Sequence, residues 1–358
     1  IGSKTNILYH VLLTRILDKH GLGSVKSTYK FINQIERINP DIIHLHNIHG
    51  YYLNIKILFK YLSKINKPIV WTFHDCWPIT GHCVHFDLIG CEKWKSECSN
   101  CPQKKSYPAS YFFDNSSKNF NLKQDVFNSV KNLTIVTVSE WLSETVKKSF
   151  LSKHPIKIIQ NGIDLSVFKP ENSEYIKEKY KINKRFIILG VASIWDERKG
   201  LNDFIKLSRD IDQDFQIILV GLKKNQVKKL PGNIIGIPKT ENVKELVAFY
   251  NMADVYFNAS KEETFGLTTV ESMACGTPVI VYKSTACPEI VTEKTGFVID
   301  KNDTTGLLNA LVIIKENGKN YYSESCIELA KERYDISSML NKYMELYNSV
   351  LDKVDGNN

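Results

Sequence analysis

The stretch Ser260-Lys-Glu-Glu263-Thr-Phe-Gly266-Leu-Thr-Thr-Val-Glu271-Ser-Met-Ala-Cys-Gly276-Thr-Pro278 follows a predicted strand and opens a predicted helix. Gly266 lets the backbone approach a ligand closely, and the free amides at the helix start form a site for a diphosphate. Glu271 falls inside the helix and Glu263 in the loop. Two carboxylates near a phosphate are tolerated when they accept hydrogen bonds from ribose and sugar hydroxyls. The stretch therefore indicates a nucleotide-sugar site, whereas a capped helix with surface glutamates explains either carboxylate alone but not the whole string.

Short apolar runs rich in β-branched residues alternate with amphipathic stretches along the chain. The predicted strands are 41–46, 68–73, 133–138, 156–159, 186–192, 216–220, 254–258 and 278–282. The predicted helices include 7–19, 51–64, 141–150, 199–208, 243–252 and 268–275. Because strands that alternate with helices form parallel sheets, this pattern predicts an α/β fold.

The length of 358 residues exceeds the size at which a single core keeps growing, so we expect two domains. The predicted domains are 1–170, an acceptor-side Rossmann-like domain with a cysteine-rich insert at 76–105, and 171–335, a nucleotide-sugar-binding Rossmann-like domain. A last helix at 336–352 is expected to cross back to the first domain. The chain opens on a helical pattern where a doubly wound domain opens on a strand, which suggests that the first strand is missing.

Composition and charge narrow the classes of protein. The chain is 43% apolar and 24% charged, which is typical of globular proteins. No apolar run reaches the roughly 18 residues that span a bilayer, and no secretory signal is present, so we expect a cytoplasmic protein. Residues 1–170 carry 22 Lys and Arg against 12 Asp and Glu, a net charge of +10, whereas the remainder carries −2. This basic half fits either a solvated lysine-rich surface or an anionic partner such as the inner face of a membrane.

The quoted stretch resembles the E-x7-E signature of retaining GT-B glycosyltransferases of family 4. Asn161-Gly-Ile-Asp164 resembles the interdomain linker of that family, and Lys199-Gly200 resembles its phosphate-binding lysine. His44-Leu-His-Asn-Ile-His-Gly-Tyr-Tyr52 and Thr72-Phe-His-Asp-Cys-Trp77 are similar to the transferases of colanic acid and related exopolysaccharide biosynthesis. The resemblance spans most of the chain and implies the GT-B fold, in which two Rossmann-like doubly wound domains face a central cleft.

The resemblance also implies an activity and a set of site residues. The activity is transfer of a hexose or N-acetylhexosamine from a UDP- or GDP-linked sugar to a lipid-linked or surface glycan acceptor, with retention of configuration. The implied catalytic residues are His74, Asp75 and Glu263. The implied donor-binding residues are Arg198, Lys199, Gly200, Ile237, Phe265, Gly266, Leu267 and Glu271. In this scheme Lys199 neutralises the diphosphate, Glu271 holds the ribose and Glu263 contacts the transferred sugar.

The role of a catalytic metal and the role of His74 follow from the chemistry of these residues. A lysine beside the leaving phosphate stabilises the charge that develops there, so we expect no catalytic metal. His74 is assigned to the reaction centre, but a histidine at a strand end is also a common structural hydrogen-bonding residue.

Five of the eight cysteines lie between residues 76 and 101. Cys98-Ser-Asn-Cys101 has the spacing of a zinc knuckle, and Cys83 and Cys91 would complete a four-cysteine structural zinc site. A pair of disulfides and free buried thiols are the alternatives, and a reducing cytosol disfavours the disulfides. The block follows His74 directly, which suggests a rigid flap on the acceptor side.

Three other functions fit parts of the pattern. A catalytically silent glycan-binding partner of an active transferase would explain a missing first loop, but both glutamates and Lys199 argue for activity. A sugar-nucleotide epimerase of the same architecture would release free nucleotide without an acceptor. Nucleic-acid binding needs a basic stripe with stacking aromatics, and the knuckle at 98–101 lies in a loop-rich insert instead, so we expect no nucleic-acid partner.

Overall fold

The computed structural model describes residues 1–182 and 185–355, and the chain divides into two compact units. Unit 1 consists of Ile1–Ile159 and Lys342–Asn358, and unit 2 of Gln160–Asn341. The division precedes the boundary predicted at residue 170, because the segment between them is tied to unit 2. The amide of Ile163 donates to the carbonyl of Tyr334 at 2.8 Å, and Ile163 bridges Asp335 in parallel.

Unit 1 is built on a four-stranded parallel sheet. Its strands are β1 (Ile43–Leu45), β2 (Ile69–Phe73), β3 (Leu133–Thr137) and β4 (Ile156–Ile158), and their spatial order is the chain order. Its helices are α1 (Lys4–Leu17), α2 (Val25–Ile38), α3 (Ile55–Leu62), α4 (Ser116–Asn128) and α5 (Glu140–Lys147). Every residue of β2 and β3 is buried, which explains why these strands are continuous apolar runs with threonines.

Unit 2 is built on a six-stranded parallel sheet. Its strands are β5 (Phe186–Val191), β6 (Phe215–Val220), β7 (Ile234–Ile237), β8 (Val255–Asn258), β9 (Val279–Tyr282) and β10 (Gly296–Ile299). Its helices are α6 (Glu174–Lys179), α7 (Leu201–Asp210), α8 (Lys224–Val227), α9 (Val243–Met252), α10 (Leu267–Ala274), α11 (Thr304–Asn317) and α12 (Lys319–Tyr334). The last helix, α13 (Ile336–Asp355), begins in unit 2, and its residues from 342 onward belong to unit 1.

The strand order of unit 2 is β10-β9-β8-β5-β6-β7, so β5 lies between β8 and β6. The chain winds outward from β5 in one direction to β7 and then returns to add β8 on the other side. The loops that follow β5 and β8 therefore diverge from a topological switch point, and ligands of open α/β sheets bind in the crevice that such loops leave. This position fixes where a site is expected in unit 2.

The α/β fold predicted from the sequence is confirmed, with differences in detail. Each predicted strand lies within two residues of an observed one, but β7 and β10 were missed because each has only four residues and contains a glycine. The helix predicted at 51–64 begins at Ile55, since the side chain of Asn54 caps it by accepting from the amide of Ile57. Within the described residues, no helix combines the length and the apolar character needed to cross a membrane.

Candidate active site

The loops after β5 and β8 bring Lys199 and Glu263 together at the switch point of unit 2. The Lys199 ammonium donates a hydrogen bond to the Glu263 carboxylate, and the Ser260 hydroxyl donates to the same oxygen at 3.1 Å. Lys199 is oriented from its own loop, because its amide donates to the Asp196 carboxylate at 2.9 Å. Both charged side chains keep some access to solvent, with exposed fractions of 19% for Lys199 and 13% for Glu263. The pair is thus held in place but open to a ligand.

Electrostatics keep Glu263 ionised. Burial alone would raise the pKa of this carboxyl group, but Lys199 and Arg198 outweigh it and hold the pKa below its usual value. The Arg198 guanidinium also donates to the carbonyl of Glu262 at 3.2 Å, so it braces the loop that carries Glu263. Three residues that the sequence predicted as separate contacts therefore form one charged cluster.

Helix α10 starts beside this cluster. Gly266 precedes the helix with φ +106°, a conformation that favours glycine, and the first amides of a helix have no acceptor within it. Phe265 is buried with its ring 5.7 Å from that of Tyr334, so only its backbone is available, whereas Leu267 is exposed. The predicted diphosphate-binding segment is therefore a helix start with a packed anchor on one side.

Glu271 lies on α10, and its environment is the opposite of that of Glu263. Burial raises its pKa, and a hydrogen bond of 2.7 Å from the Tyr250 hydroxyl offsets part of this effect. Tyr250 belongs to α9 and is itself fully buried. The tyrosine fixes one carboxylate oxygen, which leaves the other free to accept from a diol such as ribose.

Ile237 and Gly200 have different positions relative to this cluster. Gly200 caps α7 with φ +72°, directly after Lys199. Ile237 ends β7, is buried, and accepts from the amides of Gly221 and Leu222 through its carbonyl. Its contacts lie at the β6 and β7 edge of the crevice rather than with Lys199 and Glu263.

In unit 1, three histidines line up where β1 and β2 end. His74 follows β2, and its Nε2 lies 3.0 Å from Nδ1 of His46, with the rings stacked at 5.3 Å and 18°. The ring of His44 lies 4.2 Å from that of His46, and its own nitrogens reach Tyr347 at 2.6 Å and Thr72 at 2.8 Å. Burial, then the neighbouring His46, lowers the pKa of His74, so a neutral imidazole is favoured near neutral pH.

Asp75, the other predicted catalytic residue of unit 1, is engaged in structural contacts. Its carboxylate lies 3.0 Å from Nε2 of His49 and accepts from the amide of Trp77 at 2.8 Å. Burial would raise its pKa, but His49 and the Trp77 amide bring it below the usual value. These contacts make Asp75 the anchor of the turn after His74.

The four predicted zinc ligands, Cys83, Cys91, Cys98 and Cys101, line one small cavity of about 20 Å³. Within residues 1–182 and 185–355, however, no group of three or more His, Cys, Asp or Glu side chains is arranged to hold a metal ion. All eight cysteines are free thiols, and Cys83 hydrogen-bonds Cys101, which lowers the pKa of Cys101 to about 7. The four thiols thus border the same cavity, and the four-cysteine zinc site stays a prediction.

Sequence reasoning missed the partners that orient the site residues. These are Ser260 and Tyr250 in unit 2, and His46 and His49 in unit 1. The signal for His46 was visible, since it ends a predicted strand beside the one that precedes His74. Nothing in the local pattern around Tyr250 distinguishes it from a core tyrosine.

Comparisons with known proteins match both units. Residues 3–167 match the family described as Glycosyltransferase Family 4, and residues 172–333 match Glycosyl transferases group 1. One relative is WcaC of Escherichia coli (strain K12), which is named as a colanic acid biosynthesis glycosyl transferase. It is 23% identical to this chain, and the match covers 95% of this chain and 84% of WcaC.

Two solved structures resemble the fold. Sucrose-phosphate synthase from Thermosynechococcus elongatus has a TM-score of 0.70 at 17% identity, covering 91% of this chain and 77% of that one. HepE of Anabaena, solved in complex with UDP, has a TM-score of 0.66 at 16% identity. The match covers 90% of this chain and 82% of HepE.

Proposed function

Since the chain is a glycosyltransferase of the GT-B fold, with a family 4 domain followed by a group 1 domain, we propose that it transfers a hexose or N-acetylhexosamine from a UDP- or GDP-sugar. The transfer proceeds with retention of anomeric configuration. The observation that carries the proposal is the meeting of Lys199, Glu263 and the start of α10 at the switch point of unit 2.

In this proposal each part of the cluster meets one part of the donor. Lys199 and the first amides of α10 hold the diphosphate, since both carry positive charge that an anion needs. Glu263, kept ionised by Lys199, accepts hydrogen bonds from hydroxyls of the sugar. Glu271 accepts from the ribose through the oxygen that Tyr250 leaves free. When the diphosphate binds, Lys199 contacts both the diphosphate and Glu263. This shared contact directs the Glu263 carboxylate towards the sugar.

The chemical step follows from the same groups. The bond between the anomeric carbon and the diphosphate oxygen breaks while the acceptor oxygen bonds to that carbon on the same face. The departing phosphate oxygen takes the acceptor proton, and Lys199 stabilises the negative charge that develops there. His74 of unit 1 is the further catalytic residue of this proposal, because its imidazole is neutral and is oriented by His46. An inverted product, or a covalent glycosyl-enzyme on Glu263, would contradict this scheme.

The acceptor in this proposal is a lipid-linked or surface glycan of exopolysaccharide synthesis, reached at an anionic membrane surface. Leu8 and Leu12, four residues apart on α1, are 69% and 52% exposed, and Phe112 is 71% exposed. The two segments adjoin, because the amide of Tyr111 donates to the carbonyl of Arg15 at 2.8 Å. Exposed apolar side chains within a half that carries +10 suit the surface of an anionic membrane.

The decisive experiment is thermal unfolding with UDP-, GDP- and ADP-sugars, followed by a transfer assay with the stabilising donor. A ligand at a hundred times its Kd stabilises the folded state by about 2.7 kcal/mol, which is readily measured. We expect one nucleotide class to stabilise the protein, and Lys199→Met to abolish the shift.

Lys315→Met is the matched control, since Lys315 forms a more exposed ion pair with Asp214 elsewhere in unit 2. No shift with any donor would contradict the proposal. Release of free nucleotide without an acceptor would instead indicate the epimerase.

A further inference from the structure

A second ion pair lies beneath the proposed donor site. The Lys261 ammonium is 3.0 Å from the Asp203 carboxylate, with exposed side-chain fractions of only 14% and 6%. Asp203 lies in the first turn of α7, and Lys261 lies in the loop after β8. The hydroxyl of Tyr282, the last residue of β9, donates to the other Asp203 oxygen at 3.2 Å. Attraction across 3.0 Å offsets part of the cost of holding a buried aspartate and a largely buried lysine away from water, although the Asp203 oxygen that faces Lys261 accepts no hydrogen bond.

The pair joins the two loops that carry the charged cluster. The amide of Lys261 donates to the carbonyl of Arg198 at 2.8 Å, so the loops also meet through their backbones. The approach is close, because a Cβ on Gly200 would lie 2.3 Å from the carbonyl oxygen of Ala259. Lys199 directly follows Arg198, and Glu263 lies two residues beyond Lys261. Any change in the spacing of these loops therefore changes the spacing of Lys199 and Glu263.

We propose that Asp203 and Lys261 are positioning residues of the donor site, which hold the loops after β5 and β8 at the spacing that the donor requires. The inference rests on the function proposed above and deepens it. Asp203 acts through α7 and the residues before it, and Lys261 acts through the loop that leads to Glu263. Tyr282 ties the same carboxylate to β9, so three elements around the switch point share one anchor.

A purely stabilising ion pair makes a different prediction from a positioning pair. Loss of a stabilising pair lowers the unfolding temperature but leaves nucleotide binding unchanged at temperatures where the protein is folded. Loss of a positioning pair also weakens binding and turnover there, since displacement of a reacting group by about 1 Å can cost about a hundredfold in rate. The two roles are therefore separable by measurements well below the unfolding temperature.

The test uses Asp203→Asn, Lys261→Met and the double variant, with UDP or GDP, whichever binds the unchanged protein. We expect each single variant to raise the nucleotide Kd and lower kcat/KM for the donor by about tenfold or more. The nucleotide Kd and the kcat/KM of the double variant should be no more impaired than those of the single variants, because coupled residues do not contribute additively. Asp214→Asn is the matched control: it breaks the more exposed Lys315–Asp214 pair of 2.9 Å, and its values should stay within about twofold.

Unchanged Kd and kcat/KM in a folded Asp203→Asn protein would overturn the inference, whatever its unfolding temperature. If Asp203→Asn does not fold, Tyr282→Phe replaces it, since it removes only one hydrogen bond to the carboxylate. We expect that variant to lose about threefold in kcat/KM, and no loss would equally overturn the inference. Failure of the unchanged protein to bind any nucleotide would contradict the proposed function instead, which keeps the two failures distinct.

Discussion

Glu263 and Glu271 are both partly buried carboxyl groups, yet their pKa values move in opposite directions. Burial raises both, but Lys199 and Arg198 bring that of Glu263 below its usual value. At Glu271 the group that opposes burial is the neutral hydroxyl of Tyr250, which offsets only part of the effect of burial on the pKa. A neutral donor stabilises a carboxylate less than a cation does, so the difference follows from the partner rather than from depth.

Tyr250→Phe tests this dependence. Removal of the hydroxyl leaves burial unopposed, so the pKa of Glu271 rises further and the carboxyl group takes up its proton at a higher pH than in the unchanged protein. We expect nucleotide affinity at pH 6 to weaken by about fivefold, with recovery at pH 8. Calorimetric titration across this pH range measures the effect. Tyr322→Phe is the control, because its hydroxyl accepts from Asn317 on neighbouring helices; equal pH dependence in both variants would contradict the role of Tyr250.

His46→Phe tests the histidine contact of unit 1. The phenyl ring keeps the stack with His74 but removes the nitrogen 3.0 Å away. Burial and then His46 lower the pKa of His74, so removal of His46 should raise it towards the ordinary value. We expect the acid limb of kcat/KM to move to higher pH and kcat to fall by about tenfold. His154→Phe, which removes a contact with Asn128, should leave both unchanged. An NMR titration of His74 that does not move would contradict this account.

At the scale of elements, the sequence predicted the sheets well and the contacts between elements poorly. The runs around β2 and β5 are unmistakable, because buried parallel strands are continuously apolar. Lys199 and Glu263 were also predictable, since both follow strands that flank a switch point. The Asp203 and Lys261 pair was not, because 57 residues and three strands intervene and neither residue has a local pattern. The hydrophobic periodicity of a sequence does not predict contacts between residues that only the strand order brings together.

Gly200→Ala tests how tightly the start of α7 meets the loop after β8. An alanine there adds the strain of φ +72° and a Cβ only 2.3 Å from the Ala259 carbonyl oxygen. We expect about 1–3 kcal/mol of lost stability from the backbone conformation, further loss from the clash, and weakened nucleotide binding. Urea unfolding and calorimetric titration measure both. Gly90→Ala is the control, because Gly90 has φ +61° but nothing within 4 Å; equal losses in the two variants would contradict a specific clash.

At the scale of the whole molecule, all nine histidines fall in unit 1 and none in unit 2. Burial lowers the pKa of His10, His44 and His154 to about 4, and that of His20 well below its usual value. His10 shows the structural reason, because its Nε2 accepts from the amides of Gly21 and Gly23 at 3.1 and 3.2 Å. A proton on that nitrogen would remove both hydrogen bonds.

The two units should therefore differ in their response to acid. A histidine whose pKa is lowered on folding stabilises the fold fully above about pH 6.5, and this stability is lost as pH falls towards about 4. His82 opposes the effect, since Asp18 outweighs burial and raises its pKa, but it is one residue against six, because burial also lowers the pKa of His46 and His74. We expect unit 1 to lose about 2 kcal/mol of unfolding free energy between pH 7 and pH 5, roughly the effect of one such histidine after solvent screening.

Urea unfolding of a Trp195→Phe variant isolates this effect in unit 1, because the other four tryptophans all lie there. Its fluorescence midpoint should fall between pH 7 and pH 5, while ellipticity should retain a second transition from unit 2 that moves less. His10→Gln keeps an acceptor for the two glycine amides but has no proton to gain, so its midpoint should depend less on pH. A midpoint for unit 1 that is as insensitive to pH as that of unit 2 would mean that the buried histidines are not what distinguishes the two units in acid.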